Sequence, residues 1–354
     1  MTAYGLLVSP SHNRVYAQAA ADLVKAELTV FSERALGGRV RDVQKTDIGG
    51  VPYVTFSADE LTDQDVRLLS NLSSLYALFQ IEGELLRPVM LRPLDVFGSD
   101  LLTIQKYSGK TNEYFTKLLL NVTAMATDSP MDLVTGRPRV LDPMCGRGTT
   151  LNQAMMYGLD AAGIDIDGKD FDAYAAFIKT WLKNNRVKHQ AEVAGIRREK
   201  AVLGRRLHVT LGASKERYKS GETMEITVVN ADSVGAGKFF RPASFDLIVT
   251  DAPYGVQHGS RPKGSQPGRK GKPQLSRSPV ELLAAAVPEW ARLLRPGGAI
   301  GISWNTFVGR REQLAEILAA AGLEVQDSDA YRGFRHRVDQ AISRDLIVAS
   351  RSSG

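Results

Sequence analysis

Cysteine and histidine are scarce, one and five among 354 residues, which excludes an intrachain disulfide and leaves no zinc-ligand spacing. No apolar run reaches the roughly 18–20 residues of a membrane-spanning helix, so no membrane partner is expected. The opening stretch MTAYGLLVSPSHNRVYAQAA lacks a charged region ahead of its short apolar run and argues against a cleaved secretory signal. The expected compartment is the cytoplasm. Internal repeats are missing, and low complexity is confined to one basic stretch at 256–279. What is present is a globular composition, 43% hydrophobic and 24% charged, long enough for about two domains. A net charge of +6 favours a polyanionic partner.

Residues 1–90 read as strand, helix, strand, helix, a small α+β domain. YGLLVS and VPYVTF are its strands; NRVYAQAAADLVKAEL and the longer TDQDVRLLSNLSSLYALFQI have helical periodicity. The segment LLRPVMLRPLDVFGSDLL, with two Arg-Pro pairs, reads as a linker, placed at 91–104. From about residue 105 strands and helices alternate to the end of the chain, which argues for a Rossmann-like, doubly wound α/β sheet. Its successive strands are RVLDP, AAGIDID, MEITVVNADS, SFDLIVTDAPY and AIGISWN, with a closing antiparallel pair. Basic insertions are expected at 183–222 and 256–279.

LDPMCGRGTT (141–150) follows a strand and opens a helix. Gly146 and Gly148 let the backbone approach a ligand, and the helix start offers unpaired amides. Asp165 ends the next strand, about twenty residues on, where such folds place a ribose-binding acid. Asp142 lies inside the turn. A carboxylate there repels a pyrophosphate but suits a sulfonium or an ammonium group, so S-adenosylmethionine fits better than a dinucleotide. Asp232 ends the third strand and is placed to accept from an adenine amino group. Each acid alone has an ordinary reading as a helix cap; three at consecutive strand ends form a set. Cys145, with no histidine near it in sequence, reads as a packing residue.

VTDAPYG (249–255) then falls at the fourth strand end. Exocyclic amines of nucleobases are poor nucleophiles because the lone pair is spread into the ring. The Asp251 carboxylate and the Ala252 carbonyl can accept from the N–H groups and localise that pair, with Pro253 fixing the turn. Tyr254 can stack on an extruded base. No metal is needed.

An acid, Pro-Pro and an aromatic at this strand, after such a turn, mark the amino-group methyltransferases of nucleic acids, and VLDPMCGRGTTLNQA resembles most closely the tRNA guanine-N2-methyltransferases. QKYSGKTNEYFTKLLLNVTAMA (105–126) looks like their cofactor-contacting segment, and GFRHRVDQAISRDLIVA (333–349) like their closing hairpin. The resemblance covers roughly 100–350. It implies a seven-stranded sheet with its last strand antiparallel, and adds Thr149, Lys110 and Thr111 to the cofactor residues. Ala252 departs from the family's usual proline, and 1–90 is short for the RNA-capture domain many relatives carry. That segment reads equally as an RNA-capture or a packing module.

The stretch at 256–279 carries six Lys or Arg and no acid. Its place after Tyr254 suits a phosphate backbone, which nominates Arg261, Lys263, Arg269 and Lys270, with Arg335 from RGFRHR at the strand-end side. The expected partner is RNA, tRNA foremost. A DNA adenine-N6 methyltransferase and a nucleic-acid-binding protein without turnover are the competing readings.

Overall fold

The computed structural model describes residues 1–11, 13–198, 201–253 and 278–354. The amino-terminal part is a five-stranded antiparallel sheet built from β1 (Thr2–Val8), β2 (Arg41–Ile48), β3 (Val51–Ala58), β4 (Leu75–Glu82) and β5 (Leu85–Val89), in spatial order β2-β3-β1-β4-β5. Helix α1 (Arg14–Arg34) starts where the Asn13 side chain accepts from the Val15 and Tyr16 amides. It buries Tyr16, Ala20, Leu23, Val24, Leu28 and Phe31, one face of a 3.6-residue period.

Two expectations fail here. The stretch 62–81 is not one helix: α2 (Asp63–Leu69) ends within a few residues and β4 begins at Leu75. The Ser70 hydroxyl and the Asn71 side-chain amide donate back to the Val66 and Arg67 carbonyls, closing the helix where its propensity fades. β2 is an additional strand, polar and largely exposed at the sheet edge, joined to β3 by the Gly49-Gly50 turn with φ of 62° and 81°.

The chain continues through α3 (Asp100–Thr103), α4 (Glu113–Met125), α5 (Asp132–Thr135), β6 (Val140–Asp142), α6 (Thr149–Met156), β7 (Ala161–Asp165) and α7 (Gly168–Asn184). A hairpin follows, β8 (His189–Arg198) with β9 (Ala201–Leu211), then α8 (Lys215–Lys219) and β10 (Met224–Asn230). The remainder is β11 (Phe245–Asp251), α9 (Pro279–Leu293), β12 (Leu294–Asn305), α10 (Arg311–Ala320), β13 (Glu324–Val325), β14 (His336–Arg337) and β15 (Ser343–Ser350).

These strands form a second sheet in the order β13-β15-β12-β11-β6-β7-β10-β9-β8, with β14 on β15. Five of them, from β12 to β10, are parallel, and β15 runs antiparallel to β12. Seven strands were expected; the described sheet has ten, because the 183–222 insertion adds the β8–β9 hairpin at one edge and β14 adds a short pair at the other. From β6 the chain winds outward through β7 and β10, then returns to β11 on the other flank. A crevice opens at such a reversal, beyond the strands' carboxyl ends.

The two sheets share one apolar core, running from Leu6, Phe31 and Phe56 through Leu118 and Val249 to Phe334 and Val348. A polar link crosses the same boundary. Buried Glu27 accepts from the Ser73 hydroxyl at 2.6 Å and from Asn121 of α4 at 2.7 Å, and Asn121 accepts from the Tyr157 hydroxyl at 2.9 Å. Burial pushes the Glu27 carboxyl above its usual range. Residues 91–104, read above as a linker, are tied on both sides: the Leu94 amide donates to Asn71 and the Val96 amide to the Met156 carbonyl. Among the described residues no helix is long and apolar enough to cross a membrane.

Candidate active site

The glycine turn follows β6. Gly148 has φ of 80°, and a Cβ there would stand 2.2 Å from the Tyr174 ring, so conformation and space both require glycine. Gly146, at φ 48°, has no atom within 4 Å of a Cβ position and presents bare backbone to the crevice. The turn is braced from β7. The Asp165 carboxylate accepts from the Gly146 and Asp167 amides, each at 2.8 Å.

Asp142 is buried, accepting from the Met144 amide at 3.1 Å and the Thr250 hydroxyl at 2.8 Å. Burial pushes its carboxyl up to about 7 and raises that of Asp165 as well. An acid so desolvated gains from any cation placed against it. The Cys145 side chain packs where a Cβ on Gly163 would lie 2.7 Å from its sulfur, and burial drives its thiol far from the thiolate form. It is a packing residue, as expected.

The other wall comes from β11, which pairs with β6 in parallel and ends at Asp251. Asp251 is gripped by side chains from distant elements. The Thr111 hydroxyl donates to it at 2.6 Å, the Ser303 hydroxyl of β12 makes a very short contact, and the Arg344 guanidinium lies at 3.4 Å. Arg344 is buried and sits over the Phe115 ring, 4.5 Å from its centroid. The antiparallel course of β15 explains this arrival, since its first residues lie at the edge where β11 ends. The Ala252 amide donates to the Ser303 carbonyl at 2.8 Å, carrying the chain in register one residue past the strand.

A cavity of about 410 Å³ joins these walls and brings together Asp142, Gly146, Thr149, Thr111, Asp251 and Pro253. The other expected residues lie elsewhere. Asp165 braces the turn from behind, and Gly148 is the cap residue of α6. Thr111, which also lines the cavity, donates to Asp251. Lys110 turns away, donating to the Leu102 carbonyl at 2.5 Å with Glu113 at 3.8 Å. Asp232 is exposed and caps the 3₁₀ turn after β10 through the Val234 amide, the ordinary role. Arg335 is exposed, 3.5 Å from the Ser343 hydroxyl, and does not line the cavity. Tyr254, Arg261, Lys263, Arg269 and Lys270 fall outside the described residues. Sequence reasoning missed Ser303 and Arg344. Each had a faint mark, a polar residue ending the apolar run of β12 and a cation opening that of β15.

A strand-end turn braced by Asp165 and lined by Asp142 thus faces Asp251 across one cavity. Residues 132–267 match the family model UPF0020, described as RMKL-like, methyltransferase domain. The match takes in the glycine turn and the β11 strand end at Asp251, and supports S-adenosylmethionine as the cofactor. Among solved structures the chain is similar to TrmN from Thermus thermophilus, at 16% identity over 86% of this chain and 57% of that one, with a TM-score of 0.40. It is also similar to a TehB-like SAM-dependent methyltransferase from Corynebacterium glutamicum, at 15% identity over 62% and 85% of the two chains, TM-score 0.32. A putative rRNA-methylase from Clostridium thermocellum gives 14% identity over 60% and 88%, TM-score 0.34. No curated protein matches the chain.

Proposed function

We propose that this protein transfers the methyl group of S-adenosylmethionine to an exocyclic amino group of a nucleobase in RNA, guanine N2 of tRNA in particular. The observation that carries the reading is the single cavity shared by the Asp142–Gly146 turn and the Asp251–Ala252–Pro253 strand end. The choice of RNA and of guanine rests on the likeness of the turn to the guanine-N2 family and on the net positive charge.

The residues fit the cofactor. Asp142 is a desolvated acid for a positive sulfonium or ammonium group, and Gly146 lets a ligand lie against bare backbone. When bound there, S-adenosylmethionine would supply an electrophilic methyl group, with a neutral thioether as its leaving group. Asp251 accepts from the N–H of the base, drawing lone-pair density back onto nitrogen, and takes up the proton the nitrogen sheds. Each carboxylate oxygen accommodates more than one donor, so the base joins the contacts from Thr111, Ser303 and Arg344. Those contacts hold the acceptor at a fixed angle, which is where positioning contributes to rate. Tyr254 is proposed to stack on the base.

Incubation with methyl-tritiated cofactor and total RNA or DNA, followed by nucleoside digestion, tests the reading. Label in N2-methylguanosine from the tRNA fraction is expected. Label in N6-methyladenine from DNA overturns it.

A further inference from the structure

Past the end of β12 the chain holds an aromatic ring out in solvent. Phe307 is 64% exposed, although Asn305, two residues before it, is buried. A single exposed apolar residue is ordinary on a protein surface. Its place and its support set this one apart. In the β11–β12 register Ser303 pairs with Asp251, and Phe307 follows Ser303 by four residues, beyond the carboxyl end of the strand. It therefore stands on the β12 side of the rim where Asp251 closes the cleft.

The turn that carries the ring is fixed by hydrogen bonds. The Asn305 side-chain oxygen accepts from the Phe307 and Ser343 amides, each at 3.2 Å, and its NH₂ group donates to the Ala341 carbonyl at 3.1 Å. The Val308 amide closes the turn on the Asn305 carbonyl at 3.0 Å, and the Thr306 amide reaches the Ser343 carbonyl at 2.6 Å. One buried side chain thus ties Phe307 to the loop between β14 and β15.

That loop brings positive charge. Residues 335–344 hold three arginines and one acid. Arg344 is the buried neighbour of Asp251, whereas Arg335 and Arg337 are exposed and make no ion pair among the described residues. Arg335 lies 3.5 Å from the hydroxyl of Ser343, the residue bonded to the Phe307 turn. The acid, Asp339, accepts from the Ala341 amide at 2.7 Å. An open ring gives a nucleobase a stacking face, and a guanidinium beside it neutralises phosphate. Among the described residues of 278–354, Phe307 is the one large apolar side chain left exposed, too small a patch for the core of a protein-docking surface.

We infer that Phe307 and Arg335 form a ledge for the substrate strand outside the cleft: an unpaired base beside the methylated nucleotide stacks on Phe307, and its phosphate lies against Arg335. This rests on the RNA methyl-transfer reading and adds a path to it, with the strand leaving the cleft over β12 as a single strand.

Variants at this exposed position separate stacking from plain apolar contact. With total tRNA as substrate, Phe307→Ala and Phe307→Leu are each expected to raise KM about tenfold, the scale of one base–aromatic stack. Phe307→Trp should hold KM within about threefold. All three should keep kcat at saturating RNA and S-adenosylhomocysteine affinity within about twofold. Arg335→Ala should raise KM and lower the salt dependence of binding by about one counterion. The three native tryptophans are buried, so the emission of Phe307→Trp reports the ledge, and a short single-stranded oligoribonucleotide containing guanine should quench it. The inference is overturned if Phe307→Ala keeps the parent's KM, or if Phe307→Leu methylates as well as Phe307→Trp. It is also overturned if the one change in Phe307→Ala is lost self-association in sedimentation, since the ring would then serve a second copy. Quenching by the oligoribonucleotide, in a protein that methylates no RNA, sustains the ledge and ends the methyl-transfer reading. RNA methylation indifferent to Phe307 keeps that reading and ends the ledge.

Discussion

The two walls of the proposed methyl-transfer cleft, the glycine turn and the Asp251 strand end, are held in different ways. On the glycine-turn wall the acids lean mainly on nearby amides: Asp142 on that of Met144, with one long-range contact from the Thr250 hydroxyl, and Asp165 on those of Gly146 and Asp167. On the acceptor wall Asp251 is held by Thr111, Ser303 and Arg344, which are 140, 52 and 93 residues away. The first wall is a local turn motif that a short peptide pattern encodes. The second exists only once the sheet, the 105–112 segment and the last strand have come together. Ligand binding is thereby separated from acceptor geometry, and substitutions should separate them too.

The largest expected effect is on turnover. Asp251→Ala should lower the methyl-transfer rate by about a hundredfold to a thousandfold, the scale of removing one group aimed at developing charge. Rate assays under saturating cofactor and RNA check it.

Arg344→Met should act mainly on stability. Removing one partner of a buried ion pair costs about 3–5 kcal/mol. The Asp251 side chain is 19% exposed, so denaturant unfolding should show a loss at or below the lower end of that range. A loss near zero would mean that Asp251 is held well enough by the two hydroxyls.

Asp165→Ala, on the local wall, should weaken cofactor binding by about 1–3 kcal/mol, because the Gly146 amide loses the acceptor that fixes the turn. Calorimetry with S-adenosylhomocysteine measures it, and an unchanged affinity removes Asp165 from the site.

The smallest effect is a pH slope. The Asp142 carboxyl rises from 3.8 to about 7 on folding, so the unliganded protein binds that proton more tightly than the unfolded chain does. The associated stability is complete below the unfolded value and is lost as pH rises through about 7. Asp142→Asn should flatten that part of the stability profile between pH 4 and 7. A slope identical to the parent's would place the titration elsewhere.

The same contrast explains what could be read from the chain. β6, β7, β10, β11 and β12 are apolar runs ending in acids or polar residues, and they announce both the sheet and the turn. β2, RDVQKTDI, has little apolar alternation because it lies at an edge with both faces largely wet, so nothing in its composition signals a strand. The 62–81 stretch keeps helical spacing across Asn71 and Ser73, residues whose partners, Leu94 and Glu27, come from outside the helix. That Asp142, Gly146 and Asp251 would come together was legible because strand ends and glycines place them, and one cavity holds all three. The Lys110 contact with the Leu102 carbonyl and the Asp232 cap on the Val234 amide were not legible, because sequence neighbours do not reveal where a side chain turns. Arg344 was missed because only the antiparallel return of β15 brings it to the cleft.

The separation of the walls is tested most directly by titrating S-adenosylhomocysteine into Asp251→Ala. The two-wall account requires an affinity within about twofold of the parent protein while methyl transfer falls about a hundredfold or more. Cofactor affinity falling as far as in Asp165→Ala would contradict it, because the acceptor wall would then be part of the cofactor site.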